Sequence, residues 1–232
     1  MKSDHGKLTM LCAVIALALT LATKTDAQFG GLGKKKGDSG GGGGDVSGYS
    51  KSVDEAVQKG LTARALYFSA QGKLAEALGI KTDAFDKASQ ACQALEGSTS
   101  AKKMDGLKKI EVADGSKQIN DALNAESKEL SADAKKKFAD GGGKFIQGVI
   151  AESELVTQVT GLVNQGNSLA QSAGPLEKVK VLGLVKPVTD LVSILPGDVK
   201  EGTATVSALL KFAQKQNVEI PGADEIKKKL SL

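Results

Sequence analysis

Few residue types in this 232-residue chain could do covalent chemistry, and their positions restrict that chemistry severely. Cysteine occurs twice, at Cys12 and Cys92, and histidine once, at His5. His5 and Cys12 both fall in an N-terminal stretch patterned as a secretory leader, so an exported product would keep only Cys92. One thiol cannot close an intramolecular disulfide, and without histidine nothing activates it as a nucleophile. Its neighbours at helical spacing are Phe85, Ala88 and Leu95, which predicts a small buried hydrophobe. The same loss of histidine excludes Ser-His-Asp and Cys-His catalysis, conventional zinc sites and histidine-ligated haem.

The remaining motif-like stretches fail on context. Ser100-Ala101-Lys102-Lys103 has serine-x-x-lysine spacing but lacks the companion elements of the enzymes that use it. Asp140-Gly141-Gly142-Gly143-Lys144 looks locally like a phosphate loop, yet Phe145 stands where a hydroxyl should follow the lysine. Gly30 to Gly37 follows no strand and leads into more glycine, so it is not a nucleotide cradle. Glu152 and Glu154 are two apart and cannot share a helical face, which predicts solvated surface charges. No run of alternating aspartates suggests calcium. The expectation is a non-enzymatic protein with no catalytic residue, no cofactor and no metal.

Charge narrows the partners. The formal net charge is +4, and nearly all basic residues are lysine, Arg64 being the sole arginine. With two tyrosines and no tryptophan, the chain lacks the arginines and stacking aromatics of nucleic-acid readers. Three lysine triplets stand out: Lys34, Lys35 and Lys36; Lys135, Lys136 and Lys137; and Lys227, Lys228 and Lys229. They could approach anionic head groups, although interspersed carboxylates favour plain solvated faces.

These residues must be positioned by elements that the pattern makes largely helical. Residues 1–27 read as a cleaved leader: Lys2 and Lys7, an uncharged run from Leu8 to Ala22, then Thr25-Asp26-Ala27 as a small-x-small site. Residues 28–50, about half glycine through Gly48, predict a disordered tether. Residues 51–232 then form one domain. A first helix is expected over about 53–78, capped by Ser52 with Glu55 and stopped at Gly79, and a second follows a cap at Thr82 or Asp83. Gly97 to Asp105 reads as a loop, and weaker helices follow to about Glu129, interrupted at Asp114-Gly115. Gly141 to Gly143 predict a hinge before a long central helix over about 144–173. There Phe145, Val149, Val156, Val159 and Val163 line one face, and Gly148, Gly161 and Gly166 allow close helix approach. Gly174-Pro175 starts the next helix. Leu176 to Leu195, the most apolar stretch of the expected domain, predicts a buried helix kinked at Pro187. Pro196-Gly197-Asp198 predicts a turn and a cap, and a short helix follows Gly222.

The expected fold is all-α, a bundle of four to five main helices behind the tether. The expected function is an exported interaction or scaffold protein of the cell envelope, periplasmic or extracellular, that binds an envelope protein. The alternatives are a lipid-surface binder and a carrier of an apolar ligand in an interior cavity.

Overall fold

The computed structural model describes residues 45–81, 83–110, 113–125 and 129–230. The leader, the tether up to residue 44, Lys34 to Lys36 and Thr82 lie outside the described residues. Among those described, the chain is all-α, with seven helices and no strand. Three are long: α1 (Val46–Leu78), α5 (Ala132–Ser172) and α6 (Pro175–Lys215). Four are short: α2 (Asp83–Ala94), α3 (Ser100–Leu107), α4 (Ala113–Asn124) and α7 (Ala223–Leu230). The expected four to five main helices become three, because two predicted breaks do not occur.

The first is the glycine hinge. α5 runs unbroken through Gly141, Gly142 and Gly143, all buried. Each interior glycine costs a helix about 1 kcal/mol in propensity, but here the missing side chains admit neighbours. A Cβ on Gly141 would stand 3.1 Å from the Leu74 backbone nitrogen, one on Gly142 3.0 Å from Ile220, and one on Gly143 3.2 Å from Pro221. Packing decides against the hinge. Phe138 and Phe145, fully buried on either side, anchor the segment through ring contacts to Phe212 at 5.1 Å and Tyr67 at 4.7 Å.

The second is the Pro196-Gly197-Asp198 turn. α6 passes through both Pro187 and Pro196 as one helix of 41 residues. The two prolines leave the carbonyls of Gly183 and Val192 without their helical donors. Continuity is held by one buried face, with Val188, Leu191 and Leu195 before the break and Val206, Leu209 and Phe212 after it. Asp198 is therefore no cap.

Smaller corrections have local causes. α1 begins at Val46, inside the expected tether, because Asp45 caps it: its Oδ1 accepts from the Gly48 N–H at 2.8 Å. Ser52 is interior, donating to the Gly48 carbonyl, and Glu55 pairs with Lys51 instead of closing a capping box. The expected loop at 97–105 contains α3, capped by Thr99, with Met104 and Leu107 fully buried. Asp114 and Gly115 lie in the first turn of α4 and do not interrupt it. The expected stops hold at Gly79 and Gly97, both with positive φ, and at Gly174-Pro175.

The three long helices pack antiparallel in succession. Along α1, Tyr49, Gly60, Tyr67 and Leu74 meet Leu162, Leu155, Gly148 and Gly141 of α5, one numbering rising as the other falls. Along α6, Val185, Gly202 and Leu209 meet Gly166, Val149 and Gly142. α5 is thus the central rod, about 60 Å long at 1.5 Å per residue. Close approach occurs at Gly148 and Gly166 as expected and also at Gly60 on α1, whereas Gly161 has nothing within 4 Å. α3 lies against α1 and α6, α4 meets α1 through a Gln71 Nε2 to Ser116 Oγ bond of 2.7 Å, and α7 closes on α5.

Candidate functional site

Two places in the bundle depart from ordinary helix packing. The first is a buried polar cluster at mid-height. Arg64 on α1 meets Asp198 on α6 at two points: Nη2 donates to Oδ1 at 3.1 Å, and Nε lies 2.9 Å from Oδ2. Its remaining amine, Nη1, donates to the Leu107 carbonyl at the end of α3 at 3.1 Å. The guanidinium also lies 5.8 Å from the Phe68 ring centre, a favourable cation–π distance. One arginine thus ties three helices together.

Beside this pair lies Glu152 of α5, fully buried, with neither carboxylate oxygen hydrogen-bonded to the protein. Burial pushes its carboxyl up to about 8, the charge of Asp198 adds to the rise, and Arg64 opposes it. Tyr67 of α1 is raised as well, chiefly by burial and then by Glu152, Asp198 and Glu201. Gly202 permits this level of the bundle to close, since a Cβ there would stand 2.7 Å from Val149 and 3.6 Å from Tyr67.

The expectation for Glu152 is thereby corrected: it is core, and only Glu154 is a surface charge, paired with Lys229 at 2.6 Å. The sequence carried a signal for this. The stripe Phe145, Val149, Val156, Val159 has a gap of seven, and Glu152 fills its middle.

The second place is the N-terminal end of α6. Leu176, Val179 and Leu182 are 84%, 70% and 46% exposed. The buried helix expected over Leu176 to Leu195 is buried on one face only, where Val181, Val185, Val188, Leu191 and Leu195 turn inward. α3 meets α6 beyond the exposed turns, where Lys108 pairs with Asp190 at 2.6 Å. Lys178, Lys180 and Glu177 share that exposed end.

The two described lysine triplets are largely paired with carboxylates. Lys135 pairs with Glu129 at 3.1 Å, and Lys137 with Glu76 at 2.5 Å and Asp133 at 3.5 Å. Lys227 meets Asp224 at 3.7 Å, and Lys229 meets Glu225 at 3.1 Å besides Glu154. Lys136 and Lys228 are exposed. An open groove of about 710 Å³ runs along α1 beside Ser50, Asp54, Gln58 and Lys103. Its lining residues are all polar or charged, and some are already engaged, Asp54 accepting from Ser100 and Lys103 donating to Gln58.

Cys92 is buried on α2 with Phe85 and Ala88, and burial pushes its thiol up to about 11. Among the described residues, no group of three or more His, Cys, Asp or Glu side chains could hold a metal ion. No helix among them is long and apolar enough to cross a membrane. Compared with known proteins, the chain matches no family model, no curated protein and no solved structure.

Proposed function

We propose that the protein is an exported, non-enzymatic helical interaction protein of the cell envelope, which binds a protein partner through the uncovered apolar face of α6. The observation that carries this reading is the exposure of Leu176, Val179 and Leu182 on one otherwise well-packed helix. Apolar side chains grouped at the end of a rod and bordered by charges mark interaction surfaces, whereas single exposed apolar residues are ordinary. Helical spacing lets such a face lie in a groove of another protein or pair with another helix. Export rests on the leader pattern of residues 1–27.

A lipid surface is the second reading, favoured by Lys178 and Lys180 beside the stripe. Within the described triplets, the carboxylate pairing of Lys135, Lys137, Lys227 and Lys229 weighs against this reading. An apolar-ligand carrier needs an enclosed apolar cavity, and the groove along α1 is open and polar.

The test is a photo-crosslinking amino acid placed at Val179, and in a control at Gly161, in the full chain expressed in its host. A discrete protein adduct from position 179 and none from 161 supports the reading. Equal labelling from both positions overturns it. Adducts to lipid alone, with sedimentation on anionic vesicles at low salt, replace it with the lipid reading.

A further inference from the structure

We propose that Glu152 is a protonation-controlled latch: as a neutral acid it lets α5 stay packed against α1 and α6, and loss of its proton to solvent loosens that contact. The geometry is that of a carboxyl group with nowhere to place a negative charge. It is fully buried, and neither oxygen is hydrogen-bonded to the protein. Among the described residues the cation that acts on it, Arg64, is spent on Asp198 and the Leu107 carbonyl. An isolated carboxylate in such surroundings is far costlier than the neutral acid, so the group keeps its proton or the surroundings open.

The charged and titratable groups facing it come from each packed element. From α1 these are Arg64 and Tyr67, and from α6 Asp198 and, one turn on, Glu201. From α7, Lys229 is bound to Glu154 and Glu225 on the outer face, away from Glu152. The cation therefore offsets the cost of ionisation only in part, and the charge of Asp198 on α6 adds to that cost. Tyr67, itself raised by burial, remains neutral alongside.

The direction of the pH effect follows. Below the ordinary carboxyl value of 4.5, Glu152 is protonated in both the folded and unfolded chain and contributes no pH dependence. Between 4.5 and about 8 the folded chain holds a proton that the unfolded chain has lost, so stability falls as pH rises. Above about 8 the full loss is reached and the dependence ends. Within the window the folding constant falls by up to about tenfold per pH unit.

The experiment compares the full chain with Glu152→Gln, a neutral isostere, by urea unfolding and amide exchange from pH 5 to pH 9. The expected result is a urea midpoint that falls with pH for the parent and less for the variant. After correction for the pH dependence of the intrinsic chemical rate, exchange at residues 148–156 should accelerate with pH in the parent alone. Parallel pH profiles for the two chains overturn the proposal. Should Glu152→Gln fail to fold, carboxyl-carbon NMR of the parent decides. A Glu152 titration near pH 8 supports the latch, and one between about 4 and 5, where exposed glutamates ionise, overturns it.

Discussion

Arg64 and Asp198, 134 positions apart in the chain, form a two-point ion pair that joins α1 to α6 with side chains only 12% and 23% exposed. One contact is a hydrogen bond and the other an ion-pair approach without one, and a planar guanidinium reaching both oxygens cannot be copied by lysine. The chain's sole arginine thus serves as an internal cross-tie, and its value depends on both partners being present.

Removing one partner leaves the other charged and largely desolvated. Arg64→Ala is expected to destabilise the bundle by about 3 kcal/mol, as for broken buried pairs generally. Arg64→Lys should recover only part of this. The double variant Arg64→Ala/Asp198→Ala should be less destabilised than the sum of the single changes, with a coupling of about 1 kcal/mol or more in urea unfolding. Additive effects would show that the pair is not coupled.

The glycines of α5 separate into two kinds that sequence alone does not distinguish. Gly141→Ala should destabilise by about 1–3 kcal/mol, as overpacking does, because the new methyl would meet the α1 backbone at Leu74 N and Ala70 O. Gly161→Ala should stabilise by up to about 1 kcal/mol through helix propensity alone, since nothing lies within 4 Å. Thermal unfolding of the two variants checks both signs.

The same contrast explains what the sequence made legible. Class and end signals were readable because they are local: Gly79 and Gly97 with positive φ, the Gly174-Pro175 boundary, and the Phe85, Ala88, Cys92 face of α2. Breaks predicted from Gly141 to Gly143 and from Pro196-Gly197 were also local inferences, but there tertiary packing outweighs propensity. The partners responsible, Leu74, Ile220 and Pro221, lie about 70 or more residues away in the chain. Periodicity likewise shows that a face is apolar but not whether a neighbour covers it. Leu176, Val179 and Leu182 are exposed while Val181 on the same turns is fully buried, a difference set by which face other segments cover. Glu152 is the opposite case, since its place in the α5 stripe was present in the spacing.

Cys92 should behave as an inert core residue despite being the one described cysteine. With its thiol raised to about 11 and no exposed surface, little thiolate is present or reachable near pH 8. In a Cys12→Ser chain, reaction with an aromatic disulfide reagent should be at least about a hundredfold slower in buffer than in denaturing urea, tracking the opening of the fold. Equal rates would mean that α2 does not protect it.

Pro196 and Gly197 offer the last test, because both are exposed, lie inside α6 and disfavour a helix. Pro196→Ala would restore the donor to the Val192 carbonyl and remove the ring. On helix energetics alone it should stabilise by about 1–3 kcal/mol. Gly197→Ala, with nothing within 4 Å, should add up to about 1 kcal/mol. Asp198 follows directly, so any change in the path of the helix at this point would be read at its ion pair with Arg64. A loss of stability in Pro196→Ala that disappears in an Arg64→Ala background would show that the proline sets the angle at which Asp198 meets the arginine. A gain in both backgrounds would show that it only weakens the helix.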